Sequence, residues 1–122
     1  MATDSLVETT PEQLAMALVD EAADRKASDV VLLDLRPVSI ISDFFVICSG
    51  TSERQINAVT RALVDRAAQL GYSSKRIEGT AEGGWVLLDF QDVIAHVFAP
   101  EQRDFYRLDE LWKDARPLLM IQ

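Results

Sequence analysis

The stretch Ser42-Asp43-Phe44-Phe45-Val46-Ile47-Cys48-Ser49-Gly50-Thr51-Ser52-Glu53-Arg54-Gln55-Ile56-Asn57 constrains the fold more than any other part of this chain. Phe44 to Cys48 is a short apolar run rich in β-formers and bounded by polar residues, which predicts a buried strand. Ser49-Gly50-Thr51-Ser52 cannot continue a packed strand and supplies hydroxyls that cap a helix. Ser52 at N-cap with Gln55 at N3 is a capping-box pattern. A strand, a tight turn and a helix therefore follow one another here, and the rest of the chain must pack around that unit.

The flanking elements follow from the same rules. Thr10, Pro11 and Gln13 open a helix that ends near Ala27, with Leu14, Ala17, Leu18, Ala22 and Met16 at helical spacing. Asp29 to Leu35 is a near-continuous aliphatic run, as expected of a strand buried on both faces. Pro37 breaks the connection to the next strand, Phe44 to Cys48. Thr51 to Leu70 is the longest predicted helix, with Ile56, Val59, Leu63, Ala67 and Leu70 on one stripe and Gly71 as its stop signal. Lys75 to Gly79 reads as a short strand and Thr80 to Gly84 as a mobile loop. Trp85–Phe90 and Val93–Phe98 form a hairpin across Gln91-Asp92, without the usual Asn-Gly. Pro100 opens a short helix through Arg107, a further turn runs from Asp109 through Trp112, and Pro117 is expected to end regular structure. This gives one domain over residues 10–116, an N-terminal tail over 1–9 and a C-terminal tail over 117–122. The fold class is α/β, a mixed sheet of about five strands with flanking helices.

A two-residue turn fixes the parity of the hairpin. Val86, Leu88, Val93, Ala95 and Val97 share one face, which is plain aliphatic and belongs in the core. Trp85, Leu87, Asp89, Ile94, His96 and Phe98 share the other, which suits a covering helix or a partner. In Asp104-Phe105-Tyr106-Arg107-Leu108, inward Phe105 and Leu108 at i, i+3 would leave Tyr106 pointing outward.

Catalytic signals are sparse. The single histidine, His96, has no second base spaced to serve it, and a thiol enzyme would need Cys48 and His96 to meet in space. One cysteine and one histidine do not make a zinc site. The Ser49–Ser52 turn lacks the P-loop lysine and the dinucleotide glycine pattern. Asp34, Asp89 and Asp92 lie on different elements, whereas two-metal chemistry needs converging carboxylates. No cofactor is expected. The net charge of −8 favours a basic partner and disfavours general nucleic-acid binding, because the basic residues are scattered. No apolar run is long enough to span a membrane, no secretory leader is visible, and a lone Cys48 suits a reducing compartment.

Three blocks carry a resemblance. They are Ser42–Ser52 with Gln55; Glu78-Gly79 with Trp85–Phe90 and Asp92–Phe98; and Arg103–Trp112. At this spacing the chain resembles the bacterial ribosomal silencing factor family, related to the plant Iojap protein and to a mitochondrial ribosome-assembly factor. That resemblance implies a nucleotidyltransferase-like topology without the catalytic residues. It implies binding to the large ribosomal subunit through its fourteenth protein, on the subunit-joining face, so that the small subunit cannot dock and translation falls. It implies a cytoplasmic protein, homodimeric in isolation, with no membrane and no sequence-specific nucleic-acid partner. Contacts carried over are Trp85 and Tyr106 first, then Asp89, His96, Phe98, Leu108 and Trp112. The alternative reading is a nucleotide-binding or nucleotidyltransferase-type enzyme of the same fold.

Overall fold

A computed structural model describes residues 8–108 and 115–121. The elements run α1 (Pro11–Asp24), β1 (Ser28–Asp34), β2 (Phe44–Ser49), α2 (Glu53–Gln69), β3 (Arg76–Thr80), β4 (Trp85–Asp89), β5 (Val93–Phe98), α3 (Pro100–Tyr106) and β6 (Arg116–Ile121). The strands form one six-stranded sheet in the order β3-β4-β5-β2-β1-β6. β2 and β5 pair in parallel, while the other neighbours are antiparallel, so the sheet is mixed.

Parity along the strands divides the core in two. Val30, Leu32, Phe44, Val46, Cys48, Val86, Leu88, Val93, Ala95 and Val97 point to the side covered by α1 and α2. Val31, Leu33, Phe45, Ile47 and Phe98 point to the other side, with Leu108 and Ala115. β1 and β2 sit in the middle and are apolar at nearly every position because both of their faces are covered. β4 alternates half-buried and buried residues, as expected one strand from the edge. β3 is exposed throughout.

The helices end where their caps dictate. In α1 the Thr10 hydroxyl accepts the Gln13 N–H at 3.1 Å and the Gln13 side chain accepts the Thr10 N–H at 2.9 Å, a complete capping box. Its buried stripe is Leu14, Ala15, Leu18, Val19 and Ala22, so Met16 faces outward and Ala17 sits at the margin. In α2 only half of the expected box forms. Ser52 Oγ accepts the Gln55 N–H at 3.0 Å, but Gln55 Oε1 takes the N–H of Thr51 at 2.7 Å. The Gln55 amide then donates to Lys26 O at 2.8 Å, tying the start of α2 to the end of α1. Gly50 allows this turn, because a Cβ there would lie 2.9 Å from Ile56 Cγ1. α2 stops at Gly71, where φ is +90°, and Tyr72 N–H returns to Ala67 O at 2.9 Å in a Schellman motif.

Three expectations are corrected. The sheet has six strands, not about five, because β6 continues past Pro117. β6 is an edge strand and its register slips between Leu32↔Leu119 and Leu33↔Pro117, a bulge that accommodates the missing N–H. Regular structure therefore does not end at Pro117. The segment 80–84 is a closed turn: Gly84 N–H bonds Thr80 O, Gly83 N–H bonds the Thr80 hydroxyl, and Ala81 is buried. The expected turn over 109–112 lies outside the described residues.

Candidate partner-binding surface

The hairpin has the register that a two-residue turn requires, with Trp85 opposite Phe98, Leu87 opposite His96 and Asp89 opposite Ile94. Gln91 takes φ +81°, the sign a II′ turn needs at its first central residue. Asp89 offsets the missing glycine by accepting the Gln91 N–H at 2.7 Å.

At the far end of the hairpin, aromatic rings collect. Trp85 stacks on Phe98 with centroids 4.9 Å apart and meets the Tyr106 ring at 4.5 Å. Trp85 Nε1–H donates to His96 Nδ1 at 3.1 Å. The proton of this neutral imidazole is thereby assigned to Nε2, which is buried and has no hydrogen-bond partner among the described residues. The His96 ring stands edge-on to Phe45 at 4.6 Å. Burial pushes its pKa down to about 4, so it is uncharged at neutral pH. Phe105 completes the cluster, edge-on to Tyr106 at 5.0 Å.

α3 is oriented by an anchor that local spacing does not reveal. Arg103 Nη1 donates to Ser49 Oγ at 2.9 Å. That turns the Arg103 side of the helix, and with it Tyr106 three residues on, toward the sheet. The expectation fails for Phe105 alone, which is 78% exposed; Leu108 is buried as expected, and Tyr106 is 43% exposed while packing one side against Trp85. Phe105 is the surface residue that sequence reasoning missed.

The expected contacts thus separate by depth and position. Trp85 and Tyr106 lie side by side and partly open. His96, Phe98 and Leu108 are buried and support the patch from beneath instead of presenting it. Asp89 lies four residues along the strand from Trp85, about 13 Å at ordinary strand rise. It faces Arg76, 3.6 Å from its guanidinium, and does not join the aromatic group. Trp112 lies outside the described residues.

The other chemical candidates are placed just as clearly. Cys48 and His96 project from opposite faces of the sheet, Cys48 among the α1–α2 side chains and His96 against Phe45. Burial pushes the Cys48 thiol up to about 12. Asp34 is fully buried and held by Arg36 through two guanidinium bonds of 2.9 and 2.8 Å. The hydroxyls of the Ser49–Ser52 turn are engaged by Arg103, Gln55 and the backbone of α2.

Residues 8–121 match the family model described as ribosomal silencing factor during starvation. A ribosomal silencing factor from Halalkalibacterium halodurans is 45% identical over 103 residues, 84% of this chain and 86% of that protein. A mouse protein named for mitochondrial assembly of the ribosomal large subunit is 34% identical over 98 residues, 78% of this chain and 43% of its own length. A crystal structure from Chromobacterium violaceum superposes with a TM-score of 0.81 at 27% identity, covering 85% of this chain and 87% of that one.

Proposed function

Because the chain belongs to the ribosomal silencing factor family, we propose that it docks on the large ribosomal subunit and sterically prevents the small subunit from joining. The docking partner is the fourteenth protein of the large subunit, on its subunit-joining face. Such a repressor needs affinity and persistence but no chemistry, and it acts in the cytoplasm. The observation that carries this reading is the aromatic patch of Trp85, Tyr106 and Phe105, borne on a hydrogen-bonded hairpin and a short anchored helix. Aromatic side chains with one apolar face and one polar handle suit interface anchors. His96 and Phe98 beneath the indole fix its position, so little freedom is left to lose on docking. The acidic charge complements a basic protein surface.

Co-sedimentation with purified subunits tests the proposal. The protein should pellet with large subunits and stay behind with small ones. Tyr106→Ala, with circular dichroism and melting unchanged, should weaken large-subunit binding about thirtyfold, the effect of losing an interface anchor. Undiminished binding and repression by that variant would mean the patch is misplaced. The competing reading, a nucleotidyltransferase-type enzyme, loses support because Asp34 and Asp89 are each engaged by an arginine on separate elements. A metal-dependent shift in melting temperature with nucleotide would restore it.

A further inference from the structure

The connection between β1 and β2 carries exposed aliphatic side chains at the end of the sheet opposite the aromatic patch. Ile40 is fully exposed, Ile41 is 80% exposed and Val38 is 41% exposed. They stand on a backbone that is tied down. Leu35 N–H donates to Asp43 O at 2.8 Å and closes the loop, Val38 and Ser39 N–H both return to Leu35 O, and the Ser39 hydroxyl accepts the Ile41 N–H at 3.1 Å. Asp43 N–H and the Ser42 hydroxyl then bond Asp92 O in the hairpin turn, at 2.8 and 2.9 Å. At the other foot, the buried Asp34 carboxylate accepts the Arg36 N–H and grips its guanidinium, which lies 4.9 Å from the centre of the Phe44 ring. The loop is held in shape with its isoleucines outside, and an exposed apolar patch rimmed by polar groups marks an interaction site. The rim is acidic. Glu12 lies 3.9 Å from the Arg36 guanidinium, and Asp43 and Asp92 flank the loop's second foot. Of the nearest cations, Arg36 is gripped by Asp34 and Arg116 lies opposite Asp34 in register.

We propose that this loop is a second docking contact, seating Ile40 and Ile41 in an apolar socket rimmed by Lys or Arg on a protein of the large ribosomal subunit. The inference rests on the large-subunit reading above. Charge selects the occupant. Glu12, Asp43 and Asp92 complement a basic protein rim, whereas ribosomal RNA would set phosphates against those carboxylates. The two contacts are separated by the length of β2, roughly 17 Å at ordinary strand rise. A single patch fixes where a steric blocker sits but leaves it free to pivot. A second contact at the far end of the sheet fixes its orientation too, and once the first is made the second forms at high effective concentration. Because hydrogen bonds already hold the loop, docking orders little backbone.

Binding of the full chain to purified large subunits tests it, with circular dichroism and melting checked on each variant. Ile40 and Ile41 bury little within the chain, so a variant carrying both Ile40→Ser and Ile41→Ser should fold and melt as wild type does. It should bind large subunits at least about tenfold more weakly, the effect of leaving one aliphatic side chain unburied. Ile40→Leu keeps the apolar volume and should stay within about threefold of wild type. Asp92→Lys should slow association and reduce its dependence on salt. If Tyr106→Ala weakens binding and the double loop variant does not, the aromatic patch stands and the loop contact falls. If neither weakens it, both fall. Faster association of Asp92→Lys would make the facing surface anionic, as ribosomal RNA is, and overturns the proposal as well.

Discussion

The buried imidazole of His96 should make this protein lose stability in mild acid, before its carboxylates titrate. Its pKa is about 4 in the fold, lowered by burial, against an ordinary value of 6.5. The unfolded chain therefore binds more protons than the folded one between those values, and stability falls as pH drops through that window. The full shift corresponds to about 3 kcal/mol at 1.36 kcal/mol per pKa unit. Between pH 7 and pH 5 about 2 kcal/mol of this should be lost, while most Asp and Glu side chains remain ionised in both states. That is a large fraction of the 5–15 kcal/mol typical of a domain. His96 is the sole histidine, so no other imidazole contributes. Urea unfolding at pH 7 and pH 5 measures the difference directly, and His96→Phe should flatten it. A wild-type stability that is the same at both pH values within a few tenths of a kcal/mol would show that His96 is solvated, and the buried Trp85–His96 hydrogen bond would fall with it.

Other outcomes follow from the same geometry. Trp85→Phe keeps the ring stack on Phe98 but leaves His96 Nδ1 buried without its donor, so it should cost about 1–3 kcal/mol in chemical denaturation. Cys48 should resist iodoacetamide in the native protein and react at once in urea, because its thiol is buried and its pKa is raised to about 12. Association with large subunits should slow as salt rises from low to physiological concentration, since the −8 charge acts on the encounter rate; a salt-independent rate would assign that charge to solubility alone.

What was legible in the sequence was whatever depends on near neighbours. Thr10 and Gln13 determine the start of α1 within three residues, and Gly71 determines the end of α2 through bonds to Ala67 and Ala68. The continuous apolar runs of β1 and β2 are a direct consequence of central positions in the sheet. The two-residue hairpin turn settles which side chains share a face, so Trp85, His96 and Phe98 could be grouped without coordinates. Gln55 shows where local reasoning begins to fail. Its spacing from Ser52 is right for a capping box, but its amide also serves Lys26, 29 residues back and just past the end of α1, and that competing bond redirects the side chain.

Depth and orientation were not legible because they are decided at long range. Parity places His96 and Phe98 on the same face as Trp85, but whether that face is open depends on what covers it. Part of the cover is α3, and α3 is tied to the sheet by a hydrogen bond between Arg103 and Ser49, residues separated by 54 positions. A helix of seven residues has too little apolar periodicity to orient itself. That polar anchor lies on the side of the helix that brings Tyr106 against Trp85 and leaves Phe105 outside. Pro117 misled for a related reason. A proline forbids a central strand but not an edge strand, and only the completed sheet reveals that β6 is at the edge and bulged. The same distinction bears on function. Residues placed by local rules form the floor, while the exposed aromatics Phe105 and Tyr106 sit on a helix held by the Ala99–Gly84 backbone bond and the Arg103–Ser49 bond. Arg103 therefore belongs with the patch it helps to orient, and a partner that reads the patch is reading the Arg103–Ser49 bond as well.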